Sequence, residues 1–453
     1  MKLRSIQVLR GLAALLVVFF HIRSLEGLGI AENGLTEQTL IGGVFTNGYA
    51  GVDLFFVISG FIMVYVTDGV RHGVKGAADF LFARATRIYP VWWAFAAFMA
   101  VYIYVAHGMA GFGQASEGLE PVGYLTRSFL LQPQPAFPVL GVGWTLVHEM
   151  YFYVGFTLLM LLPRKWLPGL IGIWAATLLA GTLVGYAVPY ADTYRDLIFY
   201  PMTMEFIAGA VAGLLVTSGR IWRPGIVTLI AVLWLSATLC YQGLETEFTL
   251  KWGRVLWFGL PCALLIYGVA GLEARSRIAW LVPAAAGLIA AATIYQMFGL
   301  HDASPDAIRR DATLLAVIVG AIAMMIVLWF GWLLGQGAPG LLLRTRPFFN
   351  GLLNLMVRVG DWSFSLYLVH MIVMSAMRRV FGYLGRSDAL APVFRLGSDG
   401  PLDNLVFIAA CLISSLIASA LAYQLLERPL IRVFGRLRRL MFVRRETAVP
   451  EPA

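Results

Sequence analysis

The chain is divided into twelve mostly apolar stretches, separated by shorter segments that are rich in polar and charged residues. A helix needs about 20 apolar residues to cross the roughly 30 Å of hydrocarbon in a bilayer, and stretches near this length recur from end to end. The pattern predicts an all-α fold, a polytopic transmembrane helix bundle with 10–12 spans. The predicted spans are residues 6–24, 48–67, 88–106, 142–162, 167–188, 197–217, 226–241, 255–271, 278–298, 313–334, 355–377 and 405–426.

Composition supports a membrane protein. Of 453 residues, 59% are hydrophobic and only 13% are charged, which is too few charged groups to cover a water-soluble protein of this size. Most of the 34 lysines and arginines fall on the side of the predicted spans that holds the N-terminus, and the positive-inside rule therefore predicts that both termini are cytoplasmic. The net charge of +9 is then explained by the orientation of the spans in the membrane and not by binding to nucleic acid, so we expect no nucleic-acid partner.

The last part of the chain is basic. From Arg428 to Arg445, arginines alternate with apolar residues in a pattern typical of an amphipathic helix that lies against anionic lipid headgroups. We predict one continuous membrane domain, residues 1–430, and a basic cytoplasmic tail, residues 431–453.

Arg10 and His21 are ionisable residues that lie within the first predicted span. Charged groups in a span are costly, so they indicate a functional site by default. Their spacing of eleven residues is about three helical turns, which places both side chains on one face about 16 Å apart. Imidazole is the usual general base near neutral pH. The alternative is that the Arg10 side chain extends to the inner boundary of the membrane and that His21 lies at the interface between membrane and water.

Polar residues in the second and third spans also suggest chemistry. Asp53 in the second span requires a partner or water, whereas Ser59 and its neighbour Gly60 favour close helix packing. Arg84 and Arg87 share one face at the start of the third span. Guanidinium groups bind phosphates in bidentate geometry and therefore suit a nucleotide cofactor. The alternative is that the two arginines only set the orientation of the span in the membrane, which explains most arginines in such positions.

The fourth span carries two polar stripes, because Trp144 and His148 are one turn apart and Glu149 and Tyr153 form the next pair. Glu149 could orient an imidazole, bond a sugar hydroxyl or make a structural hydrogen bond between helices. In the eleventh span, a third stripe must face protein or water, and it consists of Ser363, Tyr367 and His370.

Taken together and in this order, these segments resemble the membrane acyltransferase 3 family, in particular bacterial members that modify polysaccharides and exopolysaccharides. Each segment alone is a weak signal, whereas their joint order over almost the whole chain is specific. The segments are Arg10 and His21 with ten residues between them, Val-Asp-Leu-Phe-Phe-Val-Ile-Ser-Gly-Phe, Arg84-x-x-Arg87 before Ile-Tyr-Pro, Trp-Thr-Leu-x-x-Glu, Ser-Phe-Ser-Leu-Tyr-Leu-x-His and the closing Glu-Arg-Pro.

The resemblance implies roles for seven residues. Catalytic roles are implied for His21 as the essential histidine, Arg10 as its basic partner and Glu149. Contacts with the acyl-CoA donor are implied for Arg84, Arg87, Ser59 and Trp144. The chain departs from the family in two respects: His148 stands where many relatives have a second carboxylate, and the family is usually described with ten spans.

The expected activity is transfer of an acyl group, by the resemblance acetyl, from acetyl-CoA to a sugar hydroxyl of a cell-surface polysaccharide or exopolysaccharide. His21 is then the general base and no metal is required. The expected partners are acyl-CoA, a carbohydrate or lipid-linked glycan acceptor and membrane lipids, and the expected location is the bacterial inner membrane. The alternative is a transporter or flippase of a polysaccharide or lipid-linked intermediate, a class typically built from interrupted, repeated helices.

Overall fold

The computed structural model describes residues 3–33, 40, 43–70, 72–188, 190–240, 251–275, 287, 290–291, 314–326, 339–397 and 402–442. These residues form helices joined by turns and contain no strand. The helices are α1 (Arg4–Glu32), α2 (Ala50–Val66), α3 (Val74–Ala115), α4 (Pro121–Leu130), α5 (Trp144–Leu159), α6 (Leu167–Leu183), α7 (Tyr194–Ile198), α8 (Thr203–Thr217), α9 (Pro224–Cys240), α10 (Trp252–Ala274), α11 (Leu314–Ile326), α12 (Pro339–Leu384), α13 (Ala391–Phe394), α14 (Leu402–Ala422) and α15 (Arg428–Phe442).

The helical, membrane-spanning character of the fold agrees with the sequence prediction. Within the described ranges, seven helical segments are long and apolar enough to cross a bilayer, and three shorter apolar helices, α2, α9 and α11, accompany them. The predicted span 278–298 lies outside the described residues except for positions 287 and 290–291. The cytoplasmic location of the termini and the proposed domain boundary stay predictions.

The chain forms two compact units. Unit 1 comprises Met1–Asp68, Trp174–Tyr190 and Ile198–Ala420, and unit 2 comprises Gly69–Ile173, Ala191–Leu197 and Leu421–Ala453.

In unit 1, α1 packs along α12 with both helices running in the same direction. The closest approach is at Gly360, where a Cβ atom would clash with the backbone oxygen of Gln7. Further along the pair, Glu32 on α1 accepts a hydrogen bond from Arg378 on α12 at 2.8 Å. Small residues therefore allow the two backbones to touch, and this contact fixes the register of residues on the facing surfaces.

The helices α2 and α8 of unit 1 also meet through glycines. A Cβ atom at Gly60 would clash with the carbonyl of Phe206, and one at Gly209 would clash with the carbonyl of Val57. The expected packing role of Gly60 is confirmed, and Ser59 lies beside it, half-buried on α2.

In unit 2, α3 is the longest helix; it contains Pro90 and is interrupted at Gly108, where the backbone leaves helical geometry. Three aromatic side chains of α3 donate hydrogen bonds to the last carbonyls of α4, which no helical N–H can reach. The donors and acceptors are Tyr89 to Leu130 at 2.9 Å, Trp92 to Ser128 at 3.1 Å and Trp93 to Phe129 at 3.0 Å.

The basic stretch that follows α14 forms the helix α15 of unit 2, as the sequence predicts. Arg438 on α15 pairs with Asp79 on α3 through two hydrogen bonds of 2.5 and 2.8 Å. Several apolar side chains of α15 are exposed, including Leu440 at 77% and Val433 at 58%. An exposed apolar and basic surface is consistent with the expected contact with lipid headgroups, which itself stays a prediction.

Candidate functional site

In unit 1, His21 on α1 and His370 on α12 lie side by side. The Nε2 atom of His370 is 3.3 Å from the Nδ1 atom of His21, and the ring centroids are 5.0 Å apart. The same Nδ1 atom of His21 is 2.9 Å from the carbonyl oxygen of Val17. His21 is half-buried, and no hydrogen bond of its Nε2 atom is formed with any residue in the part of the chain that the structure describes.

His370 belongs to the polar stripe that the sequence predicts on the eleventh span. Ser363 and His370 are fully buried and Tyr367 is 8% exposed, so this stripe faces protein, as expected. The Nδ1 atom of His370 is 3.0 Å from the carbonyl oxygen of Leu366, one turn earlier on α12. Both ring nitrogens of His370 are therefore engaged.

Unit 1 contains two further candidates, one for catalysis and one for contact with the donor. Arg10 is half-buried on α1, eleven residues before His21, and Ser59 is half-buried on α2. Their placement in helices agrees with the sequence, and their roles stay predictions.

Asp53 has the partner that its burial demands. It is fully buried and accepts two hydrogen bonds from Arg254, from Nε at 3.1 Å and from a terminal nitrogen at 2.5 Å. The guanidinium also lies 4.7 Å from the centre of the Tyr49 ring. A buried, bidentate ion pair with an aromatic neighbour is a structural element, and it explains a charge inside α2 without assigning catalysis to it.

In unit 2, Arg84 lies among aromatic rings and charged groups. Its guanidinium carbon is 5.4 Å from the centre of the Phe80 ring and 5.8 Å from that of Tyr153. The Nε atom of Arg84 is buried without a hydrogen-bond partner. The charges of Arg87 and Glu149 are near enough to interact with it. A guanidinium with an unused donor matches an anionic ligand such as the phosphates of an acyl-CoA donor.

The stripes predicted on the fourth span are confirmed on α5. The ring of Trp144 meets the ring of His148 edge to face, with centroids 5.6 Å apart. Tyr153 donates a hydrogen bond to the carboxylate of Glu149, one turn earlier. The hydrogen bond between Tyr153 and Glu149 therefore lies within one helix and is not the contact between helices that the sequence suggests, and the expected catalytic role of Glu149 stays a prediction.

Sequence reasoning assigned no role to two residues that the structure places in contact with candidates. The sequence places His370 in a polar stripe that must face protein or water, and Arg254 is one of the 34 lysines and arginines, with no partner indicated by its neighbours in the sequence. Helical periodicity relates residues a few positions apart, whereas His370 is 349 positions from His21 and Arg254 is 201 positions from Asp53.

A family model described as an acyltransferase domain matches residues 3–282. The chain belongs to the acyltransferase 3 family. All seven candidate residues lie within the matched range, whereas His370 lies beyond it. Among the described residues, no group of three or more His, Cys, Asp and Glu side chains is arranged to hold a metal ion.

Two curated relatives extend the comparison. The chain is 33% identical over 287 residues to the exopolysaccharide production protein ExoZ of Rhizobium meliloti (strain 1021), a match that covers 62% of this chain and 83% of the relative. It is 25% identical over 472 residues to the acyltransferase MdmB of Streptomyces mycarofaciens, which covers 100% of this chain and 96% of the relative. No solved structure matches the chain.

Proposed function

We propose that the protein is an inner-membrane O-acyltransferase that transfers an acetyl group from acetyl-CoA to a hydroxyl group of a cell-surface polysaccharide or exopolysaccharide. Its membership in an acyltransferase family supports the reaction type, and the similarity to an exopolysaccharide production protein supports the class of acceptor. The observation that carries the proposal is the imidazole of His21, held through Nδ1 on a half-buried helix face while Nε2 remains available.

His21 acts as the general base on the acceptor. It takes the hydroxyl proton as the sugar oxygen attacks the thioester carbonyl, a C–O bond forms and the C–S bond breaks. The proton then passes from His21 to the sulfur of coenzyme A, so the products are the acyl ester and the free thiol. A positioned base of this kind contributes roughly 10²- to 10⁴-fold to a rate.

Arg84 and Arg87 bind the phosphates of the donor. The support is the unused, buried Nε donor of Arg84 and the presence of a second guanidinium one turn along the same helix. For the remaining candidates the resemblance to the family is the support, and it implies donor contacts for Ser59 and Trp144 and catalytic roles for Arg10 and Glu149.

The decisive experiment is acyl transfer by the purified protein in lipid nanodiscs, supplied with acetyl-CoA that carries a labelled acetyl group and with an acceptor glycan. We expect thiol release and a labelled ester from the wild type, and neither from His21→Ala in protein that remains folded. Retained transfer in His21→Ala would remove His21 from the base role.

A second experiment tests the donor site and the biological role. Arg84→Gln is expected to raise the KM for acetyl-CoA at least tenfold, whereas Arg220→Gln, an exposed arginine outside the proposed site, is expected to leave it unchanged. A deletion strain is expected to make polysaccharide that lacks the ester. Loss of the exported polysaccharide itself, with the ester intact on what remains inside, would instead indicate transport.

A further inference from the structure

We propose that His370 is a positioning residue for His21: it accepts a hydrogen bond from the Nδ1–H group of His21 and thereby presents the Nε2 lone pair of His21 as the base. This inference rests on the proposed function, because it specifies how the general base is held. It assigns a role to a residue outside the range matched by the family model.

The contacts of the two rings are compatible with one arrangement of protons. A carbonyl oxygen can only accept a hydrogen bond, so the nitrogen that faces it must carry a proton. The Nδ1 atom of His370 faces the carbonyl of Leu366 at 3.0 Å, and the Nδ1 atom of His21 faces that of Val17 at 2.9 Å. In the neutral rings, both Nε2 atoms are therefore unprotonated.

The contact between the two rings then has a defined direction. The Nδ1–H group of His21 is the donor, and the unprotonated Nε2 atom of His370 is the acceptor at 3.3 Å. The proton on Nδ1 is shared between this acceptor and the carbonyl of Val17, which leaves Nε2 as the basic atom of His21.

The surroundings of His370 hold it in place. Its side chain is fully buried, and the carbonyl of Leu366 anchors its other nitrogen within the same helix. The helices α1 and α12 touch at Gly360, ten residues before His370, so the backbones that carry both rings are in close contact. A buried ring with both nitrogens engaged is a rigid support for its neighbour.

This arrangement favours catalysis in a specific way. When Nε2 of His21 takes the proton of the acceptor hydroxyl, the ring becomes an imidazolium and its Nδ1–H group becomes a stronger donor. The lone pair of His370 faces that group and stabilises the cation as it forms. Loss of the acceptor should lower kcat at least tenfold, which is part of the roughly 10²- to 10⁴-fold contribution of a general base. The KM for acetyl-CoA should be unchanged.

The test compares His370→Gln with His370→Met, since the two introduced side chains have nearly the same length and shape, but the amide oxygen of glutamine is a strong acceptor and the sulfur of methionine only a weak one. We expect His370→Gln to retain most of the wild-type kcat and His370→Met to lose at least tenfold, both with unchanged KM. Equal kcat values in the two variants would overturn the proposal. Met374→Ala, a buried position one turn further on α12, is the control for lost packing and should lower Tm without lowering kcat per folded molecule.

A spectroscopic measurement tests the same proposal on the unaltered chain, with one variant used only to assign the signals. In protein labelled with ¹⁵N-histidine, solid-state NMR distinguishes protonated from unprotonated ring nitrogens, and loss of one signal set in His21→Gln assigns His21 among the six histidines. We expect a protonated Nδ1 and an unprotonated Nε2 on His21, and the opposite tautomer would overturn the proposal. If His21→Ala retains activity, the proposed role of His21 as the base fails and this inference fails with it, whereas loss of activity in His21→Ala together with wild-type kcat in His370→Met refutes this inference alone.

Discussion

The ion pair between Asp53 and Arg254 offers the sharpest test of the packing in unit 1. Asp53 is fully buried and the Arg254 side chain is only 7% exposed, so neither charge can be satisfied by solvent if the other is removed. Asp53→Asn keeps the shape of the side chain but removes the carboxylate charge that the Arg254 guanidinium faces. Removal of one partner of a buried pair costs about 3–5 kcal/mol.

The surroundings of Arg254 set the expected value within that range. After Asp53→Asn, the guanidinium retains the carbonyl of Tyr49 at 3.4 Å and the face of its ring at 4.7 Å. A desolvated cation–π contact is worth about 2 kcal/mol and softens the loss. We therefore expect the free energy of unfolding to fall by about 3 kcal/mol.

The measurement is reversible unfolding in mixed detergent micelles, followed by far-ultraviolet circular dichroism. The double variant Asp53→Leu/Arg254→Met removes both charges and is expected to return to within about 1 kcal/mol of the wild type. The control is Glu32→Gln in the exposed pair with Arg378, for which a loss below about 1 kcal/mol is expected. The reasoning is refuted if Asp53→Asn lowers the free energy of unfolding no more than Glu32→Gln does. It is also refuted if the loss in the double variant equals the sum of the losses in Asp53→Leu and Arg254→Met measured separately.

Three further predictions use the same unfolding assay. Gly60→Ala forces a clash with α8 and should lower the free energy of unfolding by at least about 2 kcal/mol, whereas Gly382→Ala, where a Cβ atom meets nothing within 4 Å, should raise it by up to about 1 kcal/mol. Glu273→Ala removes the carboxylate that accepts the first backbone N–H groups of α1 at 2.8 and 3.0 Å, and should cost about 1–2 kcal/mol. Tyr153→Phe removes the donor to Glu149 and should cost about 1–3 kcal/mol; a change within 0.5 kcal/mol would contradict the pairing.

Sequence reasoning succeeded where one helix alone decides the outcome. Glu149 and Tyr153 are four residues apart, and the fixed geometry of a helix places such residues within reach of each other. The same geometry predicted the contact of Trp144 with His148. The burial of His370 followed from its place in a polar stripe, because a polar stripe inside an apolar helix cannot face lipid.

The extent of α3 shows where hydrophobicity is insufficient. The predicted span covers residues 88–106, whereas the helix runs from Val74 to Ala115. Hydropathy detects only the lipid-crossing part of a helix, because Arg84, Arg87 and their polar neighbours lower the average without breaking the hydrogen-bond ladder. The positions at which a helix ends outside the hydrocarbon, here Val74 and Ala115, therefore cannot be predicted from hydropathy alone.

The contacts that a charged group or an imidazole makes in the folded protein indicate whether its role is structural or chemical. Asp53 attracts attention in the sequence because it is a carboxylate in an apolar run, yet folding directs two donors of Arg254 at it, which gives the charge a structural explanation. His21 attracts attention for the same reason, but its contacts are made by Nδ1 and leave Nε2 available among the described residues. A polar atom that packing leaves unused is one that a substrate can use. For this reason we propose His21 as the base and a structural role for Asp53, although both are ionisable residues inside apolar stretches of the sequence.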